Sequence, residues 1–206
     1  MDKFAGKFIV LDGPDGCGKS TQTELLADWL ERLGVGVERF RDPGTTAIGE
    51  KIRQILLDPE HDRMDTRTEL LLYMAARAQL WAEKIKPGLD ANKCVLLDRW
   101  LSSTCAYQGY AGEFGIDKVI AIATDSLERA WPDLTIIVDV DLETAFSRLG
   151  KKLDRMEQKG EDYHQKVREG FLKLAEGREN FAVVDACDEV KAVHRAVVKV
   201  LAEKDF

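Results

Sequence analysis

Apolar and polar positions follow one another along the chain with two different periods. Five short runs read as β-strands: Lys7–Asp12, Val37–Arg41, Cys94–Asp98, Leu134–Val140 and Phe181–Asp185. Several are apolar almost throughout, the pattern of a strand covered by helices on both sheet faces. Between them, apolar residues recur at the 3.6-residue period of a helix that buries one face. Leu25, Leu26, Trp29, Leu30 and Leu33 make one stripe, with Gly34 as its C-cap. Leu70, Leu71, Met74, Ala78 and Trp81 make a second, which Pro87-Gly88 is expected to stop. Tyr163, Val167, Phe171 and Leu174 make a third. Val190, Val193, Val197 and Leu201 make the last, with Asp188 as the expected N-cap. Strand alternating with helix predicts parallel βαβ units and an α/β fold of three layers, a five-stranded parallel sheet flanked by helices. Gly150–Gly160 breaks the regularity: it is poor in apolar residues, dense in charge and bounded by glycines. Composition alone reads it as a solvated loop.

With 206 residues, the chain reads as a single domain over residues 1–206. Being 45% hydrophobic and 33% charged, it can bury a core and is not a disordered segment. A formal charge of −7 argues against nonspecific binding to nucleic acid, while leaving room for local basic sites that take anions. Apolar stretches such as Leu134–Val138 are too short to cross a bilayer. No signal peptide is read, because Phe8–Leu11 is short and runs straight into Asp12 and glycine. Cys17, Cys94, Cys105 and Cys187 show no CxxC pairing, and with three scattered histidines they offer no zinc spacing. A reducing cytoplasm fits this cysteine usage.

Gly13-Pro14-Asp15-Gly16-Cys17-Gly18-Lys19-Ser20 fits the pattern G-x-x-x-x-G-K-(S/T), between a predicted strand and a predicted helix. Glycines let successive backbone N–H groups turn inward on a phosphate chain, and the following helix directs its positive end there. Lys19 brings a mobile charge to the β- and γ-phosphates, and the Ser20 hydroxyl can ligate Mg²⁺. A chance glycine turn would not match every fixed position in this setting, so Gly13 through Thr21 implies nucleoside triphosphate binding. The loop by itself leaves hydrolysis, phosphoryl transfer and switching open.

Val95-Leu96-Leu97-Asp98-Arg99 narrows the choice. Asp98 ends a strand where a carboxylate can hold magnesium, directly or through water. Arg99 follows where ATPases often carry a water-orienting glutamate, and a guanidinium there suits a second phosphate or transition-state charge. Arg41-Asp42-Pro43-Gly44 ends the second strand, on the edge where open α/β sheets bind ligands. Tyr73 and Arg77, four apart, share a helix face and offer a ring to stack on a base and a guanidinium to contact it. Ser102-Ser103-Thr104 and Tyr107-Gln108-Gly109 supply hydroxyl and amide groups for a base edge or sugar. Judged singly, each has a plainer reading: an ion pair, a core tyrosine, a surface arginine or a polar loop.

Taken in order, Asp15, Arg41-Asp42-Pro43-Gly44, Tyr73 to Arg77, Asp98-Arg99, Ser103 to Gln108 and Leu153-Asp154-Arg155 resemble thymidylate kinase. The likeness covers nearly the whole chain. It implies a P-loop NTPase-type fold with a short mobile lid at about residues 148–160, ATP as donor with Mg²⁺, dTMP as acceptor, and a homodimer. It further implies that Arg41 and Arg99 hold the acceptor phosphate, that Asp15 lies near the acceptor sugar's 3′-hydroxyl and the magnesium shell, and that Pro43 and Ser103 are among the substrate-binding residues. By the same likeness Tyr73 stacks on the thymine, Arg77 contacts its exocyclic oxygen, and Thr104 and Gln108 lie at or near the base. Tyr107 crowds the sugar 2′ position, Arg148 lies against adenine, and Arg155 with Glu157 belongs to the lid. Lys19, Asp15, Arg99 and Arg155 are the expected catalytic residues, and Ser20 and Asp98 the metal-binding ones.

The chain departs from the family pattern at Thr45, where a second glycine is usual, and at Trp100, where Tyr or His is common. Gly16 takes a position that is arginine in one branch, and the lid carries Lys151 and Lys152 where the other branch has arginines. The expected reaction is in-line transfer of the ATP γ-phosphoryl to a dTMP phosphate oxygen, with cations offsetting the repulsion between two anions. The alternatives are a related P-loop kinase with another nucleoside or nucleotide acceptor, and a nucleotide-dependent binding module without catalysis.

Overall fold

The computed structural model describes residues 2–150 and 153–206. β1 (Phe8–Asp12) is the central strand of a five-stranded parallel sheet with spatial order β2 (Val37–Arg41), β3 (Cys94–Asp98), β1, β4 (Leu134–Asp139) and β5 (Phe181–Asp185). Every residue of β1 is buried, and its side chains divide by alternation. Ile9 and Leu11 face a core shared with α1 (Lys19–Arg32) and α9 (Val190–Glu203). Phe8 and Val10 face the opposite core, shared with α3 (Thr66–Leu80) and α6 (Ile116–Ser126). Each fully buried Leu, Ile or Phe contributes about 1.5–3 kcal/mol, which is why an unbroken apolar strand belongs at the centre.

Register decides where the polar strand ends meet. Leu11 is level with Asp98, and Asp98 with Arg41, so the carboxyl ends of β1, β3 and β2 open side by side. β1 lies between β3 and β4: the chain leaves β1 for β2 on one side, returns to β3, and then crosses to β4 on the other side of β1. That is the crevice where open α/β sheets take ligands.

Helix ends show where local signals prevail. α1 closes with Gly34 at φ 79°, the left-handed turn that glycine adopts freely. Pro87-Gly88 does not stop the second helix as expected. After α3 the chain widens into a π turn, Trp81–Ile85, and continues as α4 (Lys86–Asp90) with Pro87 in its first turn. The wider register ahead of Pro87 relieves its ring's clash with the preceding turn, so the helix runs on through it. Asp188 is not the cap of α9 either. Glu189 holds that position without a side-chain hydrogen bond, which leaves Asp188 one residue outside the helix.

α2 (Ala47–Leu57) carries no prediction; Thr46 caps it by accepting from the Gly49 N–H at 2.9 Å. Ser102–Thr104 and Tyr107–Gly109 are helical rather than loop, lying in α5 (Leu101–Thr104) and a π segment, Cys105–Ala111. α7 (Leu142–Arg148) and α8 (Glu161–Ala175) complete the α-helices among the described residues.

Candidate active site

Asp12, fully buried at the end of β1, organises the crevice and went unread in the sequence. One carboxylate oxygen accepts from the Gly13 N–H (2.9 Å) and the Ser103 hydroxyl (2.6 Å); the other accepts from the Ser102 hydroxyl (2.5 Å) and the Ser103 N–H (2.8 Å). It therefore ties the phosphate loop to the chain after β3. The available sequence signal was a strand-end carboxylate before glycine, the same kind of placement as Asp98. Arg99 adopts φ 69°, an uncommon conformation for a side-chain-bearing residue, as the chain turns from β3 into α5. Its guanidinium donates to the Gly13 carbonyl and the Ser103 hydroxyl at 2.9 Å each, and pairs with Asp15. Tyr107 donates to the other Asp15 oxygen at 2.6 Å. Burial raises the Asp15 carboxyl, but Arg99, Lys19 and the Tyr107 hydroxyl outweigh it and hold it down at about 2. Asp15 is thus an anion placed among cations.

Lys19 folds its ammonium back over the loop to the Pro14 carbonyl at 3.1 Å. Ser20 donates to Asp98 at 2.5 Å, so the two expected metal-binding residues stand together. Cys17 is buried beneath the loop, and burial pushes its thiol up. A neutral thiol there is packing, not a nucleophile.

A cavity of about 310 Å³ opens beside the loop, lined by Asp15, Arg41, Pro43, Tyr73, Arg77, Arg99 and, further round, Ser103, Thr104, Tyr107 and Gln108. The structure thus brings every expected acceptor residue to one space. Arg77 is fully buried: it gives two hydrogen bonds to Asp42 (2.8 and 2.5 Å) and one to Thr104 Oγ1 (3.0 Å), with its guanidinium 5.1 Å from the Trp100 ring. Arg41 pairs with Glu50 of α2 at 3.0 Å. Arg53, absent from the sequence reading, also lines the cavity and donates to the Pro43 carbonyl at 3.0 Å. Burial, and then neighbouring Arg41, press its pKa below the ordinary value, the state of a cation short of negative partners. The pattern that could have revealed Arg53 is Thr46 as cap followed by Ile48, Ile52, Ile55 and Leu56.

A second cavity, of about 920 Å³, lies on the other side of the loop. Cys17, Gly18, Thr21 and Arg148 line it, together with the stretch from Asp188 to Lys191. Arg148 donates to the Ala186 carbonyl at 3.0 Å, which holds it at that rim. Gly16, Lys19, Ser20 and Glu157 line both cavities, so the two spaces meet at the loop.

Arg155 is elsewhere. Expected as a catalytic lid cation, it is buried behind the first cavity and lines neither space. Its Nε donates to the Leu56 carbonyl at 2.7 Å and its Nη2 lies 2.5 Å from Glu69. Met156 beside it packs into an apolar cluster with Val167 and Phe171, while the Glu69 carboxylate and the Leu56 carbonyl hold Arg155 itself. Lys151 and Lys152 lie outside the described residues.

A family model described as Thymidylate kinase matches residues 11–197. The chain belongs to the thymidylate kinase family. It is similar to the thymidylate kinase of Caldanaerobacter subterraneus subsp. tengcongensis, with 44% identity over 200 residues, 96% of each chain. It is also similar to that of a Thermoanaerobacter species, with 43% identity over 198 residues, 95% of this chain and 97% of the other. The crystal structure of thymidylate kinase from Ehrlichia chaffeensis superposes with TM-score 0.80 at 32% identity, covering 96% of this chain and 99% of that one.

Three departures from the thymidylate kinase pattern now have a physical account. Thr45 takes φ 68°, a conformation glycine would adopt without strain, and its hydroxyl compensates by bonding the Arg41 N–H and carbonyl, each at 3.1 Å. Trp100 is buried and backs Arg77, its indole N–H donating to the Ala130 carbonyl at 2.8 Å. Gly16 has φ 76°, and a Cβ there would lie 2.2 Å from the Ala145 carbonyl of α7. No arginine fits beneath that helix.

Proposed function

We propose that this thymidylate kinase family member transfers the γ-phosphoryl of ATP to a phosphate oxygen of dTMP, giving dTDP and ADP, through the residues gathered at the phosphate loop. The observation that carries this assignment is the meeting of two cavities at Gly16, Lys19 and Ser20, one lined for a pyrimidine monophosphate and one for a nucleoside triphosphate. A monophosphate held on one side and a γ-phosphoryl on the other approach each other at a single point.

In this reading Tyr73 stacks on the base, Arg77 donates to its exocyclic oxygen, and Thr104 and Gln108 border its edge. Tyr107, fixed by Asp15, crowds the sugar 2′ position. Arg41, Arg53 and Arg99 surround the acceptor phosphate, while Lys19 addresses the transferring phosphoryl and Arg148 the adenine. Both reactants are anions, so placing these cations in advance lowers the repulsion that opposes contact. The attacking phosphate oxygen is already ionised, so no general base is required. Arg155, buried against Glu69, is assigned a positioning role in place of a catalytic one.

Ser20 Oγ and the Asp98 carboxylate are hard oxygen donors at the loop, the type magnesium takes alongside phosphates and water. Ser20 and Asp98 would hold Mg²⁺ together with the nucleotide, and the ion would supply positive charge against the phosphates. Segment 148–160 is assigned as the lid, with Glu157 the described residue that borders both spaces. Ile48 and Ile55 of α2 and Leu71 of α3 expose apolar surface, which supports a homodimer through that face. Four free thiols fit work in the reducing cytoplasm.

The test is ADP and dTDP formation from Mg-ATP and a panel of monophosphates, with Lys19→Ala as control. The variant is expected to lose about a thousandfold or more in kcat, the scale of losing a charge stabiliser in phosphoryl transfer, with native circular dichroism. Near-normal turnover would remove Lys19 from the mechanism.

A further inference from the structure

The amide of Gln108 borders the acceptor cavity, and an amide can be read from either end. Its NH₂ donates and its carbonyl accepts, so its orientation determines which base edge it matches. Glu69 settles that orientation. It lies on α3, four residues before Tyr73 and eight before Arg77, so the three share one helix face. Glu69 is 3% exposed, and Oε1 accepts from Gln108 Nε2 at 2.6 Å. Its other oxygen lies 2.5 Å from Arg155, whose Nε is held by the Leu56 carbonyl. An ionised carboxylate only accepts hydrogen bonds. The Gln108 end that meets it is therefore the NH₂, and the carbonyl is the end left for a ligand.

We infer that Glu69, held by Arg155, is a positioning residue that locks the Gln108 amide with its carbonyl towards the base, and so selects pyrimidines that carry an N3–H. The inference rests on the acceptor assignment above. Arg77 is a fixed donor, because a guanidinium has no acceptor. Together the two residues present donor then acceptor along the base edge. Thymine offers the complement, an O4 acceptor beside an N3–H donor, whereas cytosine offers an N4 amino group beside an N3 acceptor. A reversed amide would meet N3–H with NH₂ and erase half of that discrimination. The buried position of Glu69 ties this choice to the segment carrying Arg155, far along the chain from the base-stacking helix.

The experiment compares kcat/KM for dTMP and dCMP in the wild type and in Glu69→Gln, whose amide no longer dictates which end of Gln108 it meets. The dTMP/dCMP ratio is expected to fall about tenfold or more, the effect of leaving one buried polar group mismatched, with the KM for ATP unchanged. In a Gln108→Leu background the same substitution should leave the ratio where Gln108→Leu alone put it. Glu69→Asp, still acceptor-only, should keep the ratio within about threefold of wild type, well inside one hydrogen bond's worth. An unchanged ratio in Glu69→Gln, or an equal fall without Gln108, overturns the inference. If Glu69→Gln does not fold, Arg155→Gln takes the same measurement, with the same fall expected and constancy fatal. Absence of transfer to dTMP by the wild type would instead defeat the acceptor assignment itself.

Discussion

Arg77 shows how one side chain can serve recognition and stability together. Its guanidinium and the Asp42 carboxylate are both buried, and burial pushes the Asp42 carboxyl up against the pull of Arg77. Removing one partner leaves the other as an uncompensated buried charge. Arg77→Ala is therefore expected to cost about 3–5 kcal/mol in urea unfolding, and Arg77→Met with Asp42→Asn to recover much of that loss. A double variant no more stable than the single one would show that the pair contributes no such strain. Any loss of pyrimidine selectivity in Arg77→Ala has to be measured on its folded fraction. Arg99 differs, since it is shared among Asp15, Gly13 and Ser103 and keeps a face towards the cavity.

Among the elements, α7 has the most direct bearing on the donor site. Its backbone closes over Gly16 and its last residue, Arg148, reaches the rim of the second cavity. A methyl group at position 16 would meet the Ala145 carbonyl oxygen at 2.2 Å, an atom of the α7 backbone that cannot swing aside as a flexible side chain would. Gly16→Ala is expected to displace α7 and raise the KM for ATP about tenfold, with a stability loss of about 1–3 kcal/mol, the range for overpacking. The KM for dTMP should change far less, because Tyr73, Arg77 and Gln108 stand on other elements. Equal changes in both constants would mean that α7 does not act on the donor side alone.

For the whole molecule, the sheet gathers strand ends into one crevice while the exterior keeps an apolar face on α2 and α3. Ile48 and Ile55 are seven apart on α2, hence on one side of that helix, and Leu71 is 59% exposed on α3. Exposed apolar residues on packed neighbouring helices favour association over solvation. Sedimentation velocity at micromolar concentration should show a dimer for the wild type and a monomer for Ile48→Glu with Leu71→Glu. A wild-type monomer would refute the proposed interface. No described helix is long and apolar enough to cross a membrane.

The five strands were legible because parallel strands covered on both faces must be apolar almost throughout; β2, β3 and β5 have the expected bounds and the other two differ by one residue at an end. The phosphate loop was legible because its backbone geometry demands particular residues at fixed spacing. α2 was not, since its apolar residues point both inward at Leu56 and outward at Ile48 and Ile55, which blurs the stripe. Local sequence thus determined the strands, the helices with a single clean apolar stripe, and the kinds of charge at the site. Tertiary packing alone decided that Asp12 ties two loops together, that Arg53 joins the acceptor cavity, and that Arg155 turns to Glu69. Those contacts join residues far apart in the chain, and no local periodicity records which buried charge will meet which partner.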